Sequence, residues 1–338
     1  MKTIEIKGSG NNSTILIGEK LQNLEKYIPA GSMTVITDTN FWDIYHDKIP
    51  DCNVIKIGTG EKEKTLDTVC RIYEKLVEAE ADRSSFLVGI GGGIVCDITG
   101  FVASTYMRGL KFGFVSSTLL SQVDASVGGK NGVNFKGYKN MVGVFNQPEF
   151  VICDIDLLKT LPPRELSNGF AEIVKHAAIA DINYFSFIEE NYSTALDFDK
   201  SILERLVYDS VVIKASVVNK DEKEKGERRK LNFGHTLGHA IEKTAGVHHG
   251  EAVSAGMVTA AALSVKKGLL PAKDAERIKR LLDKLQLPIS ITVPREALLS
   301  ALRKDKKREG NNIHFILLNG LGNAIVEKLP IKELEAIL

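Results

Sequence analysis

The stretch LNFGHTLGHAIEKTAGVHHGEAV, residues 231 to 253, holds four of the seven histidines of this 338-residue chain. Imidazole is a common metal ligand and a proton carrier near neutral pH. A cluster of imidazoles therefore asks for a site before it asks for a core. His235 and His239 are four residues apart and share a face if the segment is helical. His249 lies ten residues beyond His239, and a turn at Gly246 would bring it back to the same place. Two imidazoles on one helix face and a third at the start of the next helix suit Zn2+ or a similar ion. Buried, hydrogen-bonded histidines are the alternative account of the HxxxH pair. A catalytic metal often adds a carboxylate, and Glu172 in the otherwise apolar GFAEIVKH is the candidate. A surface Glu172 paired with Lys175 or His176 is its other reading.

Cations and glycines form the second theme. VDASVGGKNGVN (123 to 134) is glycine-rich and carries Asp124 and Lys130, and GYKNMVG (137 to 143) adds Lys139 and Asn140. Lys214 interrupts the apolar VVIKASVV, a costly placement unless its amine meets an anion or a site. The run KDEKEKGERRK (220 to 230) reads as a solvated loop, although its Arg228 lies four residues before Asn232 and seven before His235. Several cations near a metal cluster point to a substrate with phosphate and carboxylate groups, which arginine binds bidentately. Gly91-Gly92-Gly93 follows an apolar run and precedes the helical pattern IVCDITGFVAS. Glycines there would let the backbone approach a pyrophosphate favoured by the helix N-terminus, although GxGxxG is absent. A tight strand-to-helix turn is the plainer alternative. Asp97 sits one turn into that helix, and GTGEKEKTL (58 to 66) puts Glu61 and Lys64 after a strand at the same expected sheet edge.

The elements that must hold these residues are legible in outline. MTVITDTN (33 to 40) reads as a strand ending in a polar loop, and CNVIKIGTG (52 to 60) as a second strand. TLDTVCRIYEKLVEAEA (65 to 81) places Val69, Ile72, Tyr73 and Leu76 on one helical face. SSFLVGIGGG, FGFVSSTLL and FVICDIDLL supply three further strands. Strand and helix in alternation imply a doubly wound, mostly parallel, Rossmann-like α/β sheet. The Pro162-Pro163 pair marks a boundary, giving domains 1–160 and 161–338. From Ser167 to about Leu285 nearly everything reads as helix, and residues 312–329 read as a small hairpin around Asn319-Gly320. A cleft between an α/β domain and a helical domain is the expected place for a ligand.

Bulk properties narrow the function classes. At 43% apolar and 26% charged, with a net charge of +1, the chain offers no electrostatic case for nucleic acid or an anionic membrane. Its four cysteines, Cys52, Cys70, Cys96 and Cys153, have no CxxC or disulfide-framework spacing and fit a reduced, cytoplasmic protein. MKTIEIKGSG lacks the apolar region of a signal peptide, and no window approaches a membrane span.

Taken together, GGGIVCDITGFVASTYMRG, STLLSQVDASVGGKNGVN, YKNMVGVFNQP, TLPPREL–GFAEIVKH, KGERRKLNFGHTLGHAIE, HHGEAV and DKK resemble the 3-dehydroquinate synthase family of sugar phosphate cyclases, in register over roughly residues 35 to 320. The resemblance implies a Zn2+ or Co2+ site of Glu172, His235 and His249. It implies NAD contacts from Asp38, Glu61, Lys64, Gly92, Gly93, Asp97, Ser117 and Thr118, with Lys130 and Lys139 shared between cofactor and substrate. Substrate-side residues would be Asp124, Asn140, Lys175, Lys214, Arg228, Asn232, His239 and Lys306. Arg108 would reach the phosphate site of the second subunit in a homodimer.

The implied reaction turns 3-deoxy-D-arabino-heptulosonate 7-phosphate into 3-dehydroquinate and phosphate, on the shikimate route to chorismate and the aromatic amino acids. Transient oxidation by NAD would acidify a neighbouring proton, and phosphate would leave by elimination. Re-reduction, ring opening and an intramolecular aldol closure would follow. Cys96 stands where the family usually has glycine, Ser116-Ser117 where it has Pro-Thr, and Asn131 where it has threonine. The rivals are a metal- and NAD-dependent polyol dehydrogenase, a sister cyclase acting on another sugar phosphate, and an inactive paralogue retained for binding.

Overall fold

The computed structural model describes residues 1–29, 31–303, 308–309 and 312–335. The chain divides into two compact units, Met1–Leu161 with Lys214–Glu222, and Pro162–Ile213 with Lys223–Leu338.

The first unit is built on a seven-stranded sheet of order β1-β2-β9-β6-β5-β3-β4. Its strands are β1 (Lys2–Ile6), β2 (Ser13–Ile17), β3 (Met33–Asp38), β4 (Asn53–Ile57), β5 (Phe86–Gly91), β6 (Lys111–Ser116) and β9 (Phe150–Cys153). Only the β1–β2 pair is antiparallel. Helices α1 (Thr39–Tyr45), α2 (Leu66–Glu78) and α3 (Gly93–Thr105) follow β3, β4 and β5. The sheet is thus the doubly wound, mostly parallel arrangement expected from the alternation.

Its strands are apolar on both faces, as helix-covered parallel strands must be. Val35, Val88, Ile90, Val115 and Ile152 are fully buried, and Phe86 stacks on Phe150 at 5.8 Å. Helix α2 buries Val69, Ile72 and Leu76, while Tyr73 stays half-exposed and meets the Thr105 hydroxyl at 2.5 Å. TN at 39–40 does not continue as a loop. The Asp38 carboxylate accepts from the Phe41 amide at 2.9 Å and starts α1 there.

Two strands in the glycine-rich region form a separate hairpin, β7 (Lys130–Phe135) and β8 (Tyr138–Phe145). Its two-residue turn, Lys136-Gly137, has positive φ at both positions (47° and 79°), as a type I′ turn requires. Val133 pairs Val142 while Phe135 pairs Tyr138, so β8 carries two extra residues between these rungs. Lys139 and Asn140 lie in that bulge, and Asn140 takes a φ of 50°. Bulges re-aim side chains, and this one presents both residues outside the regular ladder.

The second unit is mainly helical: α4 (Pro163–Ala180), α5 (Ile182–Leu196), α6 (Lys200–Lys220, its last residues grouping with the first unit), α7 (His235–Ala245), α8 (His249–Lys266), α9 (Ala272–Lys284), α10 (Arg295–Arg303) and α11 (Ile331–Glu335). Pro163 opens α4 at a first-turn position, where its missing N–H costs nothing. Gly246, at φ 66°, closes α7. His248 and Glu251 form a capping box that starts α8 two residues later. The segment 312–329 is a hairpin, β11 (Asn312–Leu318) with β12 (Ala324–Pro330), extended by the short β10 (Arg308–Glu309). Its loop spans five residues, 319–323, and so is longer than a two-residue Asn-Gly turn.

Backbone contact sets the approach of α7 to α8. A Cβ on Gly256 would collide with the Gly234 carbonyl oxygen, and one on Gly238 would stand 3.1 Å from the Val253 Cα.

Candidate metal centre and nucleotide edge

In the second unit, Glu172 projects from the middle of α4 and is fully buried. Its Oε1 lies 3.4 Å from His235 Nε2 and 3.3 Å from His249 Nε2, while its Oε2 pairs with the buried ammonium of Lys175. An ion with tetrahedral bonds of about 2.0–2.2 Å separates neighbouring donors by about 3.3–3.6 Å. The carboxylate and two imidazoles therefore stand at metal-ligand spacing, and their ligand atoms all fall within 4.8 Å of one another.

The imidazoles are oriented from behind. His235 Nδ1 lies 3.1 Å from the Phe233 carbonyl oxygen, and His249 Nδ1 lies 3.4 Å from Glu242 Oε2. Burial pulls the proton affinity of His249 down, but hydrogen bonds to Glu172 and Glu242 overcome it and raise its pKa to about 10. Glu172 is no surface glutamate, although its pairing with Lys175 is real.

His239 is half-buried one turn from His235, with ring centroids 5.3 Å apart, and its ring stands 6.0 Å from that of His249. Arg228 departs from the solvated loop expected of its charge run, being 2% exposed within a 3-10 turn over Glu227–Asn232. Asn232 Nδ2 donates to Glu224 Oε1 at 2.5 Å. Lys306 lies outside the described residues.

In the first unit, β3 leads out to β4 on one side while β5, β6 and β9 proceed on the other. The topological switch therefore falls between β3 and β5, where open α/β sheets bind ligands beyond the strands' carboxyl ends. Asp38 ends β3, and Gly92 and Gly93 follow β5. Ser117 and Thr118 follow β6, with the Ser117 amide donating to the Gly91 carbonyl at 2.9 Å. Gly92 has an ordinary φ, so its reason is close approach. A Cβ there would lie 3.2 Å from Thr118 Cγ2, and one on Gly93 would lie 2.8 Å from the Ala125 Cβ. Gly92 supplies no side-chain cap to α3, which leaves first-turn N–H groups suited to a phosphate.

Glu61 and Lys64 come from the turn after β4. Lys64 pairs with Asp97 of α3, whose carboxyl is pushed up by burial and held back by that ammonium. Glu61 accepts from Asn134 Nδ2 at 2.8 Å and lies 3.6 Å from Lys139 Nζ, while Asn134 Oδ1 accepts the Asn140 amide at 2.9 Å. Glu61 and Asn134 thereby tie the β8 bulge to the turn after β4. Lys214 Nζ reaches Asp124 Oδ1 at 2.6 Å, which supplies the anion its apolar setting demands. Lys130 opens β7 directly after Gly128-Gly129. Arg108 is not brought to this edge. It is exposed at the opposite end of α3, between two other positive-φ residues, Met107 and Gly109.

Two of the three departures from the family pattern, Cys96 and Asn131, are accommodated. Cys96 is buried among apolar neighbours with its thiol beside Ser116. Asn131 donates to the Gly129 and Asn146 carbonyls at 3.2 and 2.8 Å, strapping the glycine-rich turn. Glu242 was not singled out from the sequence. Its only signal is the spacing in HAIE, three residues after His239 and seven after His235.

Residues 54–168 match the 3-dehydroquinate synthase N-terminal model and residues 169–308 the 3-dehydroquinate synthase C-terminal model. A 3-dehydroquinate synthase from Coxiella burnetii (strain CbuG_Q212) is 41% identical over 100% of this chain and 99% of that protein. One from Sulfurovum sp. (strain NBC37-1) is 48% identical over 82% of this chain and 79% of its own length. Among solved structures, a 2-deoxy-scyllo-inosose synthase complexed with carbaglucose-6-phosphate, NAD+ and Co2+ superposes with a TM-score of 0.89 at 28% identity, covering 99% of both chains. With both halves matched and full-length relatives above 40% identity, the chain belongs to the 3-dehydroquinate synthase family.

Proposed function

We propose that this chain converts 3-deoxy-D-arabino-heptulosonate 7-phosphate into 3-dehydroquinate and inorganic phosphate, as a carbon–oxygen lyase using NAD and a divalent metal, Zn2+ or Co2+. The observation that carries the reading is the Glu172–His235–His249 set at metal-ligand spacing, in a chain whose relatives of that name match it end to end. When bound, NAD accepts and returns a hydride, and the metal polarises the hydroxyl that is oxidised.

The protein's own groups do the rest by position and charge. Glu172, His235 and His249 hold the ion, and Lys175 neutralises the carboxylate oxygen turned away from the imidazoles. Asp38 is assigned to the nucleotide's ribose, and the α3 N-terminus at Gly92-Gly93, with Ser117 and Thr118, to its pyrophosphate. The Lys64–Asp97 pair and Glu61 flank that place. Lys130, Lys139, Asn140, Lys214, Arg228 and Asn232 are assigned to the substrate's phosphate and carboxylate, with Lys306 joining them. Asp124 fixes the ammonium of Lys214, and His239 holds a proton beside the substrate's oxygens. A substrate fixed in one orientation by several cations has already met much of the entropic cost of an intramolecular aldol closure.

We assign the enzyme to the cytoplasm as a homodimer in which Arg108 serves the partner's phosphate site. Among the described residues no helix is long and apolar enough to cross a membrane. The test is phosphate release from the heptulosonate phosphate with substoichiometric NAD+ and added Zn2+, with NADH absorbance followed in parallel. Many turnovers of phosphate without net NADH are expected. NADH accumulating with a polyol, or phosphate released only from another sugar phosphate, would overturn the reading.

A further inference from the structure

We infer that Glu242 is the positioning residue of the metal centre. It holds the His249 ring so that Nε2 faces Glu172. The inference rests on the reading that Glu172, His235 and His249 bind a divalent ion, and it adds a residue outside that set.

An imidazole that gives its Nε2 lone pair to a metal carries its proton on Nδ1, and the partner of that N–H fixes ring orientation. The two imidazoles solve this differently. His235 Nδ1 lies 3.1 Å from the carbonyl oxygen of Phe233, a main-chain acceptor that no substitution removes. His249 Nδ1 lies 3.4 Å from Glu242 Oε2, a side-chain acceptor. His249 is the first residue of α8 and its side chain is about a quarter exposed, whereas His235 is nearly enclosed. The ring with less packing around it therefore depends on a replaceable partner. Glu242 comes from α7, the helix that carries His235, and its side chain is 10% exposed. One helix thus supplies a ligand and the orienting acceptor for the ligand of the next.

The residues His239, Glu242 and His249 also place one ligand atom each within 4.8 Å of one another, so direct ligation by Glu242 is the competing role. It would need His249 Nδ1 as a donor to metal, leaving Nε2 turned from the ion at Glu172.

The experiment measures Zn2+ affinity by competition with a chromophoric chelator, Zn2+ stoichiometry, and the visible spectrum of the Co2+-loaded protein. The parent, Glu242→Ala, Glu242→Gln and His249→Ala are compared. Alanine favours the helix, and the near-isosteric glutamine provides a second variant should Glu242→Ala fail to fold. Glu242→Ala is expected to weaken Zn2+ binding about 10–100-fold and to alter the Co2+ bands. Glu242→Gln, whose amide oxygen still accepts from Nδ1, should stay within a few-fold of the parent and keep its spectrum. An alanine variant that binds like the parent overturns the inference, as does a glutamine variant as weak as alanine. Loss of a second equivalent of Zn2+ on removing Glu242 would make it a ligand instead. A parent that binds no Zn2+, or a His249→Ala protein that binds as the parent does, would instead overturn the ligand set itself.

Discussion

Lys214, midway along α6, directs its ammonium to both the side chain and the main-chain carbonyl of Asp124, with Oδ1 at 2.6 Å. The lysine side chain is 7% exposed and the aspartate 24%. Each therefore helps the other's charge to be tolerated. Asp124→Ala should destabilise the protein by on the order of 2–3 kcal/mol, because it removes the carboxylate that the buried ammonium meets. The Asp124→Ala/Lys214→Met double variant should recover much of that loss. Urea unfolding of the four proteins gives the coupling, and strictly additive losses would mean that the pair acts independently.

His249→Ala removes one ligand from a helix start without emptying the core. Stoichiometric Zn2+ should fall to background, a loss of roughly 100-fold or more in affinity, while the far-ultraviolet circular dichroism spectrum is retained. Metal content equal to that of the parent would remove His249 from the ligand set.

Asp38 predicts a pH effect of definite sign. Burial raises its carboxyl above the ordinary 3.8, against the hydrogen bonds from the Phe41 and Asn40 amides. The contribution of a raised acid is present below its unfolded pKa and is lost as pH rises through the folded value. Asparagine caps a helix about as well and carries no charge. Asp38→Asn should therefore gain on the parent progressively as pH rises above 3.8 and hold a constant advantage at neutrality, while its NAD affinity falls. A stability difference independent of pH would contradict this.

The thiols should separate by environment. Cys70 is exposed and Cys52 half-buried, whereas Cys96 and Cys153 are enclosed and burial pushes both well above the ordinary thiol range. A thiol reagent on the folded protein should consume Cys70 rapidly and Cys52 more slowly. Cys96 and Cys153 should titrate only after unfolding. Rapid modification of Cys96 would show that the segment beneath the glycine loop opens.

Periodicity exposes the parallel strands β3, β4, β5, β6 and β9 and most of the helices, since buried β-branched runs and 3.6-residue patterns are averages over many residues. It does not expose the edge strands β1 and β2, nor the hairpin of β7 and β8. Gly132 and Gly143 face each other across that hairpin, each leaving no room for a Cβ on the other strand, so its pairing is written in absent side chains. The burial of Arg228 is hidden for a related reason, because the polarity of a charge run says nothing about the one member that turns inward. Residue type and spacing mark Glu172, His235, His239 and His249 as ligand candidates, and only the family resemblance narrows them to the proposed set of Glu172, His235 and His249. Glu242 is not marked, because its role depends on which ring nitrogen it meets.

Gly234 and Gly256 bring α7 against α8 at close range, Gly256 against the Gly234 carbonyl and Gly234 against the Val253 carbonyl and the Met257 side chain. Gly256→Ala should cost about 1–3 kcal/mol and lower Zn2+ affinity by moving His235 relative to His249, and calorimetry with metal titration checks both. Because the approach of α7 to α8 is limited at these positions by close contact with the backbone, a side chain added at either would shift the two imidazoles relative to each other before it disturbed the rest of the helical unit. An engineer seeking heat resistance would treat these two glycines as fixed points.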